Sequence, residues 1–531
     1  MSNLPCQDAE EGEAVDREIS RRLDDGSMVI SKSATFVASP IGAVPKPPSS
    51  DGAKKYRVIH HLSWPRRGSQ PSVNDGIDPA EVTLSYDTLG PLLEAIAVAK
   101  DEGRQVEIWK VDFANAFRHC VTETSDSSLN GCIWGGRRIV DCTLPFGLRS
   151  SPFLFNLFSE GFHWILQSLG LNTFWHYLDD FYGLAPIGMG SRYTDLILRA
   201  CTILGWTVAP HKVVSGCCVP VLGVLIDTDR GIASITPERR AAVAGLIDRM
   251  VHSGSATRRE IQSVAGSLLF ISRICPTGRA YIRRIFDATK SDTGYFTGAR
   301  RIPGSCKTEL RWWGDLLQSW DGAYIIKAPA PTNTIDIYTD ASGEKGFGGH
   351  IGHIHSPTEA FSERFPRRHR DKDIQFKESY AALHACRLWA PNWSGRHIVF
   401  HIDNQAVFWA LRTGRIRNDA TQTIIRTIFA SAASYHFTFT SHWIASEDNG
   451  LADALSRFHL NLYPPAVHDM LSRPRVPPTP YPSRLPVADQ LYTSMDPITH
   501  PFSVLLPPDV SDNSDGTDYG APELVVFDGS W

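Results

Sequence analysis

Tyr177-Leu178-Asp179-Asp180 sets two adjacent carboxylates between apolar, aromatic runs, with Phe174, Trp175 and Tyr177 before them and Phe181 and Tyr182 after. Side chains alternate across a strand, so neighbouring acids share a face only where the backbone turns between them. The tetrapeptide is therefore expected at a tight β-hairpin. Two ionised carboxylates this close repel each other and raise a pKa; Mg²⁺, which prefers oxygen ligands, would relieve the repulsion and put the pair to use. An exposed acidic turn is the competing reading, because short motifs recur by chance.

Further acids stand at the ends of predicted elements. Asp112 closes the apolar strand 106–113, where a helix N-cap is an equal alternative. Asp340 lies on an alternating strand that starts at Ile335, Glu378 on a helix over 376–389, Asp403 just past a strand over 397–402, and Asp453 at the start of a final helix. Any one of these can be structural, since acids cap helices and end strands routinely.

The positioning elements follow from periodicity and turn chemistry. Gly135-Gly136 predicts a hairpin, and 144–156 opens a long apolar helix with Pro152 in its first turn and Ser150 or Ser151 as cap. Lys54, Lys55 and Arg57 flank a Gly/Pro turn before a strand near Tyr56, where they can grip a triphosphate or simply be solvated. Residues 237–250 form an amphipathic helix, and Thr257-Arg-Arg-Glu260 supplies a capping box for the next one. Arg279, Arg283 and Arg284 can rest on a phosphate backbone or form a solvated face. A strand over 347–355 carries His350, His353 and His355, whose spacing cannot aim all three at one metal.

The 531 residues, 42% hydrophobic, suffice for two to four domains. No apolar run reaches membrane-spanning length and the acidic start lacks a secretory layout, so an intracellular protein, in cytoplasm or nucleus, is expected. Ten cysteines without a C-x-x-C argue for reduced thiols. The net charge of −4 hides a partition. Residues 1–27 carry −5 and 458–531 carry −6, which leaves +7 in the middle for phosphate backbones.

In order along the chain these residues resemble the reverse transcriptases of retroelements, especially DIRS-like retrotransposons. Val111-Asp112-Phe-Ala-Asn-Ala-Phe117-Arg resembles the first metal motif, and Leu144-Pro-Phe-Gly-Leu-Arg-Ser-Ser-Pro152 the template and nucleotide motif. Tyr177-Leu-Asp-Asp180 resembles the second metal motif. Lys54 to His61 with Ser72-Val-Asn-Asp-Gly-Ile is similar to the finger hairpin. Gly205 to Lys212 and Val221 to Asp227 match the next two polymerase motifs. Thr-Asp340-Ala-Ser, Glu378-Ser-Tyr-Ala-Ala-Leu, Ile-Asp403-Asn and Leu-Ala-Asp453-Ala-Leu-Ser-Arg are similar to attached ribonuclease H domains.

The resemblance implies an α/β and α+β multidomain protein, a right-hand polymerase of fingers, palm and thumb followed by an RNase H-like α/β domain. Over the stretch it covers, about Ile30 to Phe458, its expected parts are fingers and palm (28–235), thumb-like helices (236–292), a connection (293–334) and the RNase H-like domain (335–458); composition adds a flexible acidic arm (1–27) around a short helix over 14–23 and a Pro-rich, largely disordered tail (459–531). The resemblance also implies two Mg²⁺ per site, with Mn²⁺ as substitute, held by Asp112, Asp179 and Asp180 and by Asp340, Glu378, Asp403 and Asp453. Lys54 or Lys55, Arg57, Phe117, Phe146, Gly147 and Lys212 would contact the nucleotide, Phe117 excluding a ribose 2′-hydroxyl unless it is merely core packing. Phe146 stands where retroviral enzymes often carry Gln. The implied partners are an RNA template, a DNA primer, RNA–DNA hybrid and dNTPs. A decayed, non-catalytic nucleic-acid scaffold is the rival reading.

Overall fold

A computed structural model describes residue 3 and residues 9–32, 36–45, 56–65, 70–289, 298–320, 322–326, 334–435 and 437–473. Lys54, Lys55, most of the linker 328–334 and the tail from 474 lie outside the described residues. The fold mixes helices and sheets in two compact units, one within Met1–Ala95 and Gly103–Gly223, the other within Ile96–Glu102 and Val224–Thr499. Among the described residues no helix is long and apolar enough to cross a membrane.

The first unit is built on the strand Val106–Asp112. It pairs antiparallel with Asp180–Pro186 along its whole length and with Val214–Gly216 on its other side, while Phe174–Tyr177 completes the four-stranded sheet. Alternation sorts its side chains: Trp109 and Val111 join Phe155, Phe162, Leu166, Phe181 and Ile197 in an aromatic-rich core. Lys110 and Asp112 therefore point to the other face. Part of that core comes from the helices Ser151–Ser168 and Gly190–Leu204. The first of these starts at Ser150 without a side-chain cap; the Ser151 hydroxyl instead donates to Pro145 O at 2.8 Å.

The N-terminus departs from the flexible arm expected for 1–27. Ala9–Asp24 is a helix whose Val15 and Ile19 are fully buried against Met28, Ile41, Cys132 and Ile139. Arg22 lies on the same face, one turn further on, and forks onto Asp141 with contacts of 2.9 and 2.5 Å. A segment that is acidic on average thus carries one apolar stripe, and that stripe decides its fate. The predicted hairpin at Gly135-Gly136 joins Gly131–Trp134 to Arg137–Asp141, with φ of 55° and 73° at the two glycines.

In the second unit the helices Pro237–Ser253, Arg258–Ile271 and Gly304–Ser319 precede a five-stranded sheet. Thr257 and Glu260 form the expected reciprocal capping box. The sheet runs in the order Glu359–Glu363, Phe347–Ile351, Thr334–Ala341, His397–Ile402, Thr438–Trp443, antiparallel for the first three strands and parallel thereafter. The Gly-rich strand stops at Ile351, so His353 and His355 fall in the turn beyond it. Glycine is needed there because a Cβ at Gly348 would lie 2.4 Å from Leu455 Cβ, on the helix Gly450–Arg457 that crosses the strand.

Neither edge of the segment 335–458, expected to form a domain of its own, coincides with an edge of packing. Ala280 belongs to the hydrophobic core of this sheet, with Tyr281 packed against it, and Gln422 and Arg426 both donate to Ala280 O. Glu309, fully buried, pairs with Arg426 and accepts the backbone N–H groups of Arg284 and Ile285. Past 458, Tyr463 and Val467 bury against Ala360, Leu451 and Leu455, and Pro465–Ser472 is helical. The tail expected to be disordered from 459 therefore begins as packed structure, because its apolar residues have a sheet edge to cover.

Candidate active sites

Register brings the first group of acids together. Asp112 and Asp180 are direct cross-strand partners, and Tyr177 pairs with Asp180, so Leu178-Asp179 is the two-residue tip of the hairpin. The turn needs Leu178 at φ 52°, a conformation that costs a non-glycine residue about 1 kcal/mol. Two contacts fix it: the Ser159 hydroxyl donates to Leu178 O at 2.9 Å, and Phe113 N–H donates to Asp179 O at 3.1 Å.

Two lysines divide the charge. Lys212 Nζ lies 2.7 Å from Asp112 Oδ2, and Lys110 Nζ lies 3.1 Å from Asp180 Oδ2. Lys110 sits two residues before Asp112 on the same strand face, a period-2 relation visible in the sequence. Burial, then the neighbouring Asp180, pushes the Asp112 carboxyl up to about 7. Burial and Asp180 likewise push Asp179 up to about 6, against the pull of Lys212 and Arg57.

The loop 144–149 is held from three sides. His60 N–H donates to Phe146 O at 2.9 Å, Asn74 Nδ2 donates to Gly147 O at 2.9 Å, and Arg149 N–H returns a bond to Asn74 Oδ1. Gly147 has φ 109°, and a Cβ there would stand 2.0 Å from His60 O, so no other residue fits. Arg57 and Arg118 both lie over the Phe146 ring, their guanidinium carbons 5.1 and 5.6 Å from its centroid. Phe117 packs edge-on to Phe155 and at 5.0 Å from Phe146. Arg118 also reaches Asp141 at 2.7 Å, and with Arg22 it holds that buried carboxyl down at about 2 despite burial. Asn74 and Arg149 lie within the stretches 72–77 and 144–152 singled out in the sequence, whereas Asp141 carries no local signature.

The second group forms where parallel strands end. Asp340 lies near the end of the central strand, and Asp403 follows the adjacent parallel strand. Glu378 comes from the helix Ile374–Trp389, packed on the central strand. One oxygen from each of Asp340, Glu378 and Asp403 lies within 4.8 Å of the other two. Asp340 Oδ2 and Glu378 Oε2 are buried without hydrogen-bond partners. Burial and the facing acids push Asp340 up to about 6, and burial with Asp340 and Asp403 drives Glu378 well above the carboxylate range. Converging, unpartnered oxygens of this kind suit a hard divalent cation.

Asp453 lies outside that close trio, though its charge still bears on Asp340 and Glu378. Its Oδ1 is 2.6 Å from Arg457 Nε, one helical turn on, and its side chain is 39% exposed. Its helix is tied to the Asp340 strand by Asn449, whose Nδ2 donates to Thr339 O at 3.1 Å. His442 is an exposed residue of the edge strand, its ring edge-on to His401.

No protein-family model matches the chain, and no curated protein matches it. Among solved structures it is similar to the foamy viral protease-reverse transcriptase dRH in complex with double-stranded DNA, at 16% identity and TM-score 0.48, over 82% of this chain and 70% of that one. The foamy viral protease-reverse transcriptase in complex with RNA/DNA hybrid gives 15% identity and TM-score 0.48, over 92% and 57%. The same protein in complex with double-stranded DNA gives 16% and 0.47, over 84% and 85%. Likenesses at this level set no limits on the chemistry; the side chains do.

Proposed function

We propose that the chain is an RNA-directed DNA polymerase of a DIRS-like retroelement, extending a DNA primer with dNTPs and cleaving the RNA of RNA–DNA hybrids at a second site. The observation that carries the reading is the cross-strand pairing of Asp112 with Asp180, the residue that follows the Leu178-Asp179 hairpin tip, with Lys212 and Arg57 as cations near Asp179. Acids and cations at one spot suit a triphosphate bound with a metal, since each phosphate charge needs a counter-charge.

When bound, Mg²⁺, or Mn²⁺ in its place, would neutralise the carboxylates and act as a Lewis acid towards phosphate and water oxygens. Asp112 and Asp179 are its holders at the first site, with Asp180 assisting; Asp340, Glu378 and Asp403 hold it at the second, Asp453 completing the set from Gly450–Arg457. Arg57, with Lys54 or Lys55, binds the triphosphate. Lys212 Nζ keeps a proton beside Asp112, where it can be given to the leaving pyrophosphate. Gly147 lets the 144–149 loop approach closely enough for Phe146 to bear on the nucleotide, and Phe117 closes the space a ribose 2′-hydroxyl would take.

Primer extension on an RNA template and hybrid cleavage, run with wild type, Asp179→Asn and Asp403→Asn, test the reading. Asp179→Asn is expected to lose extension by at least about 10³-fold and keep cleavage, and Asp403→Asn to do the reverse. Folded wild type that binds hybrid yet performs neither reaction would establish the non-catalytic scaffold instead.

A further inference from the structure

Trp443 closes the strand Thr438–Trp443 and pairs across the sheet with Ile402, the residue before Asp403. Its indole Nε1 donates to Asp403 O at 3.0 Å. The ring is nevertheless 45% exposed, whereas Trp389 and Trp393 of the same unit are 7% and 1% exposed. Among the described residues no aromatic ring or cation lies against it. Trp409 is equally exposed, but Arg412 covers its ring at 5.8 Å. Trp443 thus has its only polar atom committed to the backbone of a site carboxylate and its large apolar face left to solvent.

We infer that Trp443 is a substrate-contact residue of the Asp340–Glu378–Asp403 site, its indole face lying against the sugar and base of the RNA nucleotide next to the bond that is cut. The inference rests on the proposed hydrolysis of hybrids and names a contact within it. Asp403 must address the scissile phosphate, so a ring anchored on the carbonyl of Asp403 itself reaches the flanking nucleotide of that strand. The hydrogen bond fixes the ring plane in advance, which lowers the entropy lost when substrate arrives. Every base offers a π-face, so the contact is indifferent to sequence. That suits an enzyme that must clear RNA along a whole template.

The test compares Trp443→Ala, Trp443→Leu and Trp443→Phe in hybrid cleavage, and repeats Ala and Phe on an Asp403→Asn background to read binding of a fluorescent RNA–DNA hybrid without turnover. DNA synthesis and thermal melting serve as folding controls. Ala and Leu are expected to raise KM about tenfold, with the loss falling on KM rather than kcat, and Ala to raise the hybrid Kd by the same factor. Phe, which keeps a ring and loses the N–H, restores most of both. An unchanged Kd in the Ala variant overturns the inference. So does an equal loss of kcat in Ala and Phe at constant Kd, which would make the indole N–H a positioning device for Asp403 and no more. If wild type binds hybrid but does not cut it, the hydrolytic reading fails by itself, and the Kd comparison still decides Trp443.

Discussion

The acids of the Asp112–Asp179–Asp180 site are held together against their own repulsion. Asp179 illustrates the cost: its carboxyl titrates near 6 in the fold and near 3.8 when free, so above pH 6 the native state carries a charge it disfavours. A carboxylate raised in this way destabilises the fold as pH climbs from the free value through the folded one. In metal-free protein, Asp179→Asn is therefore expected to raise stability at pH 8 by about 1–2 kcal/mol, the partial exposure of the group screening part of the shift. The gain should shrink below pH 6 and vanish near pH 4. Chelator-treated melts at both ends of that range decide the matter: a variant that melts lower at pH 8 would show that the acids are not in conflict. Lys110 and Lys212 limit the conflict by pairing with Asp180 and Asp112.

At the scale of elements, the helix Ala9–Asp24 contributes more than an arm can. Arg22 and Arg118 both reach the buried Asp141, and Arg118 continues to the Phe146 ring, so the N-terminal helix is connected to the 144–149 loop through one carboxylate. Replacing Arg22 with Met leaves Asp141 with a single arginine in a dry site. A loss of about 3 kcal/mol is expected, at the lower end for a broken buried pair because Arg118 remains. Urea unfolding of the full chain followed by a reporter in the first unit measures it, and a loss below about 1 kcal/mol would return the helix to the status of an accessory. Asp141 titrates near 2 in the fold, so its contribution is present above the ordinary carboxylate range and is lost only as pH falls towards 2.

For the whole molecule, the boundary that matters is the one drawn by packing. The segment 335–458 has the acids and strands of the second site but lacks Ala280, Tyr281, Glu309, Tyr463 and Val467, which finish its core and pair its half-buried Arg426. Excised at those limits it should melt roughly 10 °C below a piece spanning 272–473, or fail to fold. Equal, cooperative melting of the two fragments would show that the flanking segments are passengers.

Much of the local architecture was legible because its causes are local. The hairpin at Tyr177–Asp180, the glycine turn at 135–136, the Thr257–Glu260 box and the acids at strand ends follow from alternation, turn chemistry and capping, each settled within a few residues of chain. The packing of the N-terminal helix and of the start of the tail was missed because composition averages over a segment, while burial depends on one face finding a partner. The tertiary structure alone decided which distant groups meet: Lys110 with Asp180, 70 positions apart, and Arg22 with Asp141, 119 apart. It also decided that Asp340, Glu378 and Asp403 converge while Asp453 turns to Arg457. Periodicity tells a residue which side of its own element it occupies. Only the packing of elements sets what lies across from it, and in a site built on charge the facing group determines whether a carboxylate is paired or left open.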